Sequence, residues 1–171
     1  MLRLAGCLLV LTGTVGFAKK ICEDVKQHLE TLKQLRSIFE NMKYYIAYQK
    51  ATIPETLWKL SHKGDSAFAD AFREIYESVY EEGESFPIVW KKQMEQTLQS
   101  TVFTAEEKNM VMDFPSSLGF MEGNAQAGAL DELLREIDGH IEDLSAEQKS
   151  KTKMIMSLGT AAGILISILL L

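Results

Sequence analysis

Three histidines, two cysteines and a crowd of glutamates are the side chains of this chain with the means to do chemistry. His28, His62 and His140 could ligate a metal or move protons, since an imidazole titrates near neutral pH and coordinates through a ring nitrogen. They are scattered over three helical stretches, and none stands in a spacing such as His-Glu-x-x-His that sets two imidazoles on one turn. His28 falls on a core-type position, where a buried or boundary histidine is expected rather than a catalytic one. Cys7 and Cys22 build neither a disulfide framework nor a zinc spacing. No glycine-rich loop ends in the Lys-Ser/Thr pair that cradles phosphates. Gly119, Gly123 and Gly128 open a helix with no strand before them, so they are no dinucleotide fingerprint. The expectation is a protein without enzymatic activity, metal, cofactor or small-molecule substrate.

What remains is recognition. Glu74, Glu77, Glu81, Glu82 and Glu84 gather at the C-terminal end of one helix, where the macrodipole disfavours carboxylates by roughly 0.3–1 kcal/mol each. They form either a solvated face or a negative patch kept for a basic partner, and Glu74, Glu77 and Glu81 are the candidate contacts. Tyr44, Tyr45 and Tyr48 span too much of a helix circumference for all three to face a core, so at least one is exposed or at an interface; Tyr48 is the candidate. Glu122 and Gln126 lie four apart where the last helix opens, and serve either that helix start or a partner. With 24 acidic against 18 basic residues and a formal charge of −6, nucleic acid is not the partner, because phosphate binding needs clustered Lys and Arg.

The elements that carry these residues follow from periodicity. Ile21, Val25, His28, Leu32, Leu35, Phe39, Met42 and Ile46 recur at steps of four and three, one face of a long helix. Leu130, Leu134, Ile137, Ile141 and Leu144 do the same near the other end. Between them, Thr52-Ile53-Pro54-Glu55 reads as a capping box and opens a short helix with Leu57, Trp58 and Leu60, which Gly64 ends. Asp65-Ser66 opens the next, with Phe68, Phe72, Ile75 and Val79 inward and Gly83 at its end. Pro87 starts a fourth, bearing Trp90, Met94 and Leu98. Thr104 to Glu107 caps a fifth, with Met110, Val111 and Phe114, that Pro115 stops. Short connections imply antiparallel neighbours. The fold class expected is all-α, an antiparallel six-helix bundle.

Both ends are apolar. Residues 154–171 hold no charged side chain, and a helix of that length spans roughly 27 Å, close to a bilayer's hydrocarbon thickness. Lys149, Lys151 and Lys153 precede it. Residues 4–18 form the other apolar run, between Arg3 and Lys19-Lys20. A cleaved secretory signal ending at Gly16-Phe17-Ala18 is one reading; a lipoprotein box at Leu4 to Cys7 has too short an apolar core before it. An uncleaved membrane helix running into the long amphipathic helix is the reading adopted. The division expected is 1–18 as a membrane segment, 19–153 as a cytoplasmic bundle and 154–171 as a transmembrane helix. The lysines on the bundle side of both apolar runs put that bundle in the cytoplasm. Gly159 and Gly163 form a small-xxx-small pair able to pack against a neighbouring membrane helix.

Taken in order, these motifs resemble the stage III sporulation protein AB family of endospore-forming bacteria. The most specific part is Leu118-Gly119 followed by Glu122 and Gln126; Lys153 to Leu158-Gly159, and Tyr45-Ile46-Ala47-Tyr48 before Ile53-Pro54, add to it. Tyr45 stands where the family favours Glu, and Pro115 where a Gly is usual. The resemblance implies a soluble region like the cytoplasmic domain of the inner-membrane platform protein of type II secretion and type IV pilus systems. It also implies a non-enzymatic scaffold in the channel-like assembly between mother cell and forespore. Such a scaffold would sit in the mother-cell membrane and dock a cytoplasmic ATPase and membrane proteins of the same operon, with a homo-oligomer as one possible form. The alternative expected from the amino-terminal run is an exported, tail-anchored helical interaction protein with its signal removed.

Overall fold

A computed structural model describes residues 2–63, 67–118 and 123–170; within its helices, the side chains of 2–19, 21–22, 117, 123–124, 156, 160 and 163–170 are outside the description. Among the described residues six α-helices follow one another: α1 (Leu2–Ala47), α2 (Ile53–Ser61), α3 (Ala67–Tyr76), α4 (Phe86–Gln99), α5 (Ala105–Leu118) and α6 (Gly123–Leu170). One π-helical turn, Glu77–Glu81, prolongs α3. Among the described residues there is no strand, so the all-α expectation holds. The chain divides into two compact units, Thr31–His140 and a second made of Met1–Glu30 with Ile141–Leu171.

The central unit holds the core. From α1 it takes Leu32, Leu35, Phe39, Met42 and Ile46, the stripe that the period of four and three singles out, each no more than 2% exposed. Leu130, Leu134 and Ile137 bury the matching stripe of α6, joined by Leu133. Two charge pairs strap these helices together: Arg36 Nε donates to Asp138 at 2.5 Å, and Lys43 meets Asp131. The residues lie seven apart on each helix but in opposite order, which makes the two segments antiparallel. Hydrogen bonding to its aspartate is the main cause that raises the pKa of each cation. Along the middle of the chain α2 packs on α3, α3 on α4 and α4 on α5.

An aromatic cluster knits four of the helices. The Trp90 ring is fully buried, with ring centroids of Phe39, Phe72, Phe86 and Phe114 at 6.5, 6.0, 5.7 and 5.3 Å. Its indole N–H donates to the Val111 carbonyl at 2.9 Å. That bond corrects the expected role of Pro115, which lies inside α5 rather than stopping it. Proline has no N–H to give the carbonyl four residues earlier, and that carbonyl belongs to Val111. Trp90 supplies the donor that Pro115 lacks, so the helix runs on to Leu118.

Helix ends follow local chemistry. Thr52 Oγ1 accepts from the Glu55 amide at 3.4 Å while Glu55 Oε2 accepts from the Thr52 amide at 2.8 Å, the reciprocal capping box read from the sequence. Thr104 and Glu107 repeat it at α5, at 3.2 and 2.7 Å. The Thr52 backbone N–H is the leading cause that holds the Glu55 carboxyl below its ordinary pKa. A depressed carboxylate contributes stability that is present above its unfolded pKa and lost as pH falls through the folded one. The stability gap between the protein and Glu55→Ala should therefore be full at neutral pH and close on acidification, as read by denaturant melts across the acid range. A gap indifferent to pH would mean that the carboxylate charge plays no part in the cap.

Further departures have physical causes. Trp58, expected with Leu57 and Leu60, is half exposed, because adjacent residues on a helix point about 100° apart. Val79 is only half-buried: it lies in the π-turn, whose wider winding carries it off the α3 stripe. The helix end expected at Gly64 and the opening expected at Asp65-Ser66 lie outside the described residues. The Thr56 hydroxyl is fully buried and finds no hydrogen-bond partner among the described residues. Thr56→Val, which keeps the shape and removes the unpaired oxygen, is expected to stabilise the protein by about 1 kcal/mol; a destabilisation in urea melts would show that the hydroxyl is satisfied after all.

Of the second unit, the described side chains belong to the amino-terminal part of α1 and the carboxy-terminal part of α6. Lys151 pairs with Glu147 one turn away at 2.6 Å, and Met154 and Leu158 are exposed, at 63% and 71%. Among the described residues no helix is long and apolar enough to cross a membrane. The two runs expected to be transmembrane helices, 4–18 and 154–171, have most of their side chains outside the description.

Candidate functional site

The structure presents three surfaces with chemistry suited to recognition. The first is the end of α3. There Glu82 N–H reaches back to the Glu77 carbonyl at 3.2 Å and Glu84 N–H to that of Ser78 at 3.0 Å, the long-range bonding of a π-turn. Gly83, at φ +80°, takes the left-handed conformation that reverses the chain. Glu74, Glu77, Glu81, Glu82 and Glu84 all stand exposed on this feature, and none makes an ion pair among the described residues. Beside them the Tyr76 and Tyr80 rings lie 5.7 Å apart, and partial burial pushes the Tyr80 phenol's pKa up. Of the expected contacts, this brings Glu74, Glu77 and Glu81 together.

The second surface is the C-terminal end of α1. Tyr48 is 76% exposed and Tyr44 50%, their rings 5.7 Å apart, while Tyr45 is half-buried. The Tyr45 ring lies under two ammonium groups, Lys59 at 5.1 Å and Lys63 at 5.9 Å. Where a glutamate would pair with those lysines through its charge, tyrosine offers its electron-rich face. Lys50, at φ 55°, turns the chain away from the helix without a glycine, and the Ala51 N–H closes the end on the Tyr45 carbonyl at 3.0 Å.

The third surface was not singled out from the sequence. A groove of about 640 Å³ runs between α5 and α6. Its floor is Met110, Phe114 and Leu133, and its rims carry Glu106, Asp113, Glu132 and Glu136. Glu106, Asn109 and Asp113 recur at helical spacing, as do Ala129, Glu132 and Glu136. The signal was present in each helix, but nothing local says that the two stripes face one another. On the other side of α5 a groove of about 480 Å³ is rimmed by Lys91 and Lys92 of α4, with Ile88 beside them 69% exposed.

The other expected residues are placed as follows. Gln126 is half-buried on α6. Glu122 lies outside the described residues. Gly159 has nothing within 4 Å of where a Cβ would stand; Gly163 is in α6, beyond the described side chains. No hydrogen bond, ion pair or ring contact joins Tyr48 or Gln126 to the glutamates of α3 among the described residues.

Histidine chemistry is local. The His62 ring lies 4.4 Å from that of Trp58, and in the tautomer protonated at Nδ1 it donates to the Trp58 carbonyl at 2.8 Å. His140 Nδ1 stands 4.0 Å from Oε1 of Glu107, a buried carboxylate whose Oε2 belongs to the α5 cap. His28 is half-buried on α1. Among the described residues no three His, Cys, Asp or Glu side chains are grouped to hold a metal ion. The described side chains present charged and aromatic surface on a helical frame.

Known proteins were compared with this chain. A curated relative, stage III sporulation protein AB of Bacillus subtilis (strain 168), is 19% identical over 171 residues, covering all of both chains. A solved structure of stage III sporulation protein AB (SpoIIIAB) superposes with a TM-score of 0.62 at 13% identity, over 72% of this chain and 98% of that one; at that identity the likeness speaks to the fold. The sequence model of the family described as stage III sporulation protein AB matches residues 3–171. With that match running nearly from end to end, the chain belongs to the stage III sporulation protein AB family.

Proposed function

We propose that this protein is a non-enzymatic, membrane-tethered platform of the sporulation apparatus between mother cell and forespore, whose helical bundle is gripped by a cytoplasmic ATPase and by membrane proteins encoded beside it. The observation that carries the reading is the family match over residues 3–171. Supporting it are the uncharged run 154–171 with lysines before it, and the acidic face of α3 and its π-turn, which makes no ion pair among the described residues. The likeness to secretion-system platform proteins that the sequence resemblance implies supplies the mechanical idea. In it a frame strapped by the Arg36–Asp138 and Lys43–Asp131 pairs passes force between partners without chemistry of its own. Here the apolar ends span the mother-cell membrane and the bundle faces the cytoplasm.

The test is the double charge reversal Glu77→Lys with Glu81→Lys in the full chain, in an endospore-forming host lacking its own copy. The ATPase recovered with the protein should fall about tenfold, since reversed charges repel the basic surface they once attracted, and the yield of heat-resistant spores should fall with it. Wild-type recovery of both would remove the acidic face from the mechanism. The Gly16-Phe17-Ala18 sequence favours a second reading, an exported protein cleaved after Ala18. An intact mass lacking residues 1–18 in membrane-extracted protein would establish that reading and end the cytoplasmic one.

A further inference from the structure

The two grooves that flank α5 are complementary to each other. The α5–α6 groove has an apolar floor, Met110, Phe114 and Leu133, under four carboxylates that make no ion pair among the described residues. The α4 rim of the other groove offers the reverse: Ile88, an apolar side chain 69% exposed, with Lys91 and Lys92 one turn on, both exposed and without an ion pair among the described residues, while Glu95 and Asp113 line the same groove below them. An isoleucine that far into water is a side chain with apolar area left to bury, and three to four residues is the spacing that puts the lysines on its side of the helix. All of these residues belong to the central unit. They sit on opposite sides of α5, with Asp113 bordering both grooves, so ridge and groove of one chain cannot meet within it.

The geometry points to head-to-tail contact between copies of this chain, the Ile88–Lys91–Lys92 ridge of one seated in the acidic α5–α6 groove of the next. Ile88 meets the Met110–Phe114–Leu133 floor, while the lysines lie between the carboxylate rims. The surfaces in contact are different patches, so the association is heterologous; in a pair one copy keeps its groove free and the other its ridge, and repetition yields a ring or an open row. Charge sets the register, and the apolar knob supplies the non-polar contact. This inference concerns the chain's contact with itself and stands apart from the ATPase docking on α3.

The full-length protein in native membranes tests it by disulfide trapping, with Cys7 and Cys22 replaced by Ser. Chains carrying Ile88→Cys are co-expressed with differently tagged chains carrying Ala129→Cys, which places a thiol in the groove. A mixed-tag dimer is expected from the pair, with little from either single-cysteine chain alone. Adding Lys91→Glu and Lys92→Glu to the ridge-bearing chain should cut the dimer about tenfold. Adding Glu132→Lys and Glu136→Lys to the groove-bearing chain as well should restore it. Absence of the mixed dimer, when each variant melts like its parent, would overturn the inference. So would a dimer formed equally by Ile88→Cys alone, a yield indifferent to the charge changes, or a different protein trapped by the groove cysteine in place of a second copy. Spore yield and ATPase recovery from the same strains report separately on the proposed function.

Discussion

Replacing Trp90 with alanine is expected to cost about 3–5 kcal/mol, a large share of the 5–15 kcal/mol that holds a typical domain folded. The ring is fully buried among Phe39, Phe72, Phe86 and Phe114, and truncation leaves a cavity those neighbours fill only in part. The more informative variant is Trp90→Phe. It keeps much of the ring but removes the N–H that serves the Val111 carbonyl, leaving a buried acceptor unpaired at a cost of roughly 1–3 kcal/mol. Pro115→Ala restores a backbone N–H four residues after Val111, so a helical donor takes over. The cost of Trp90→Phe should then shrink by about 1 kcal/mol in the Pro115→Ala background. Urea unfolding of the four full-length proteins, solved as a double-mutant cycle, measures this coupling. Strict additivity would mean that indole and proline are neighbours without being partners.

Phe39→Ala carries the second large effect, also about 3–5 kcal/mol. Phe39 is 1% exposed, and its ring stands 5.2 Å from that of Phe114, edge on, and 6.5 Å from Trp90. It is the ring of α1 in the aromatic cluster, so its loss weakens the hold of α1 on α4 and α5. An edge-to-face pair adds roughly 0.5–1.5 kcal/mol beyond buried area, and Phe39→Ala should therefore couple to Phe114→Ala by that amount. A lowered urea midpoint at unchanged slope would place the loss in the native state. A changed slope would show instead that the bundle's compactness had altered.

On the proposed function these effects matter beyond stability, because a platform gripped by partners must keep its surfaces in fixed relation. The acidic face of α3, the tyrosines ending α1 and the α5–α6 groove are each borne by helices that the aromatic cluster or the α1–α6 straps position. Variants that loosen the cluster should lower partner recovery together, whereas Glu77→Lys with Glu81→Lys should lower it without moving the melt.

Much of the architecture was legible before any coordinates. The step of four and three marked Leu32, Leu35, Phe39, Met42 and Ile46 on α1, and Leu130, Leu134 and Ile137 on α6, all of them buried. Thr52 with Glu55 and Thr104 with Glu107 announced two helix starts, since a capping box is made within four residues and owes nothing to the rest of the chain. The order of these signals also carried the family resemblance. That at least one of Tyr44, Tyr45 and Tyr48 is exposed followed from helix geometry; Tyr44 and Tyr48 are the exposed ones.

The misreadings share a cause. Pro115 reads as a stop because its missing N–H is a local fact, while the donor that compensates comes from Trp90, on another helix. Val79 reads as core because an α-helix is assumed, and the π-turn that displaces it is not marked by period or by proline. The α5–α6 groove stayed hidden because each rim is an ordinary polar stripe until the other is set opposite. Periodicity and local motifs thus determined the helices, their buried stripes and their caps, because each rests on neighbours a few residues apart. Only the tertiary structure decided which carbonyl the indole serves, which aspartates take Arg36 and Lys43, and which carboxylates line one groove. Those depend on distances between residues remote in sequence, which packing sets and no local pattern encodes.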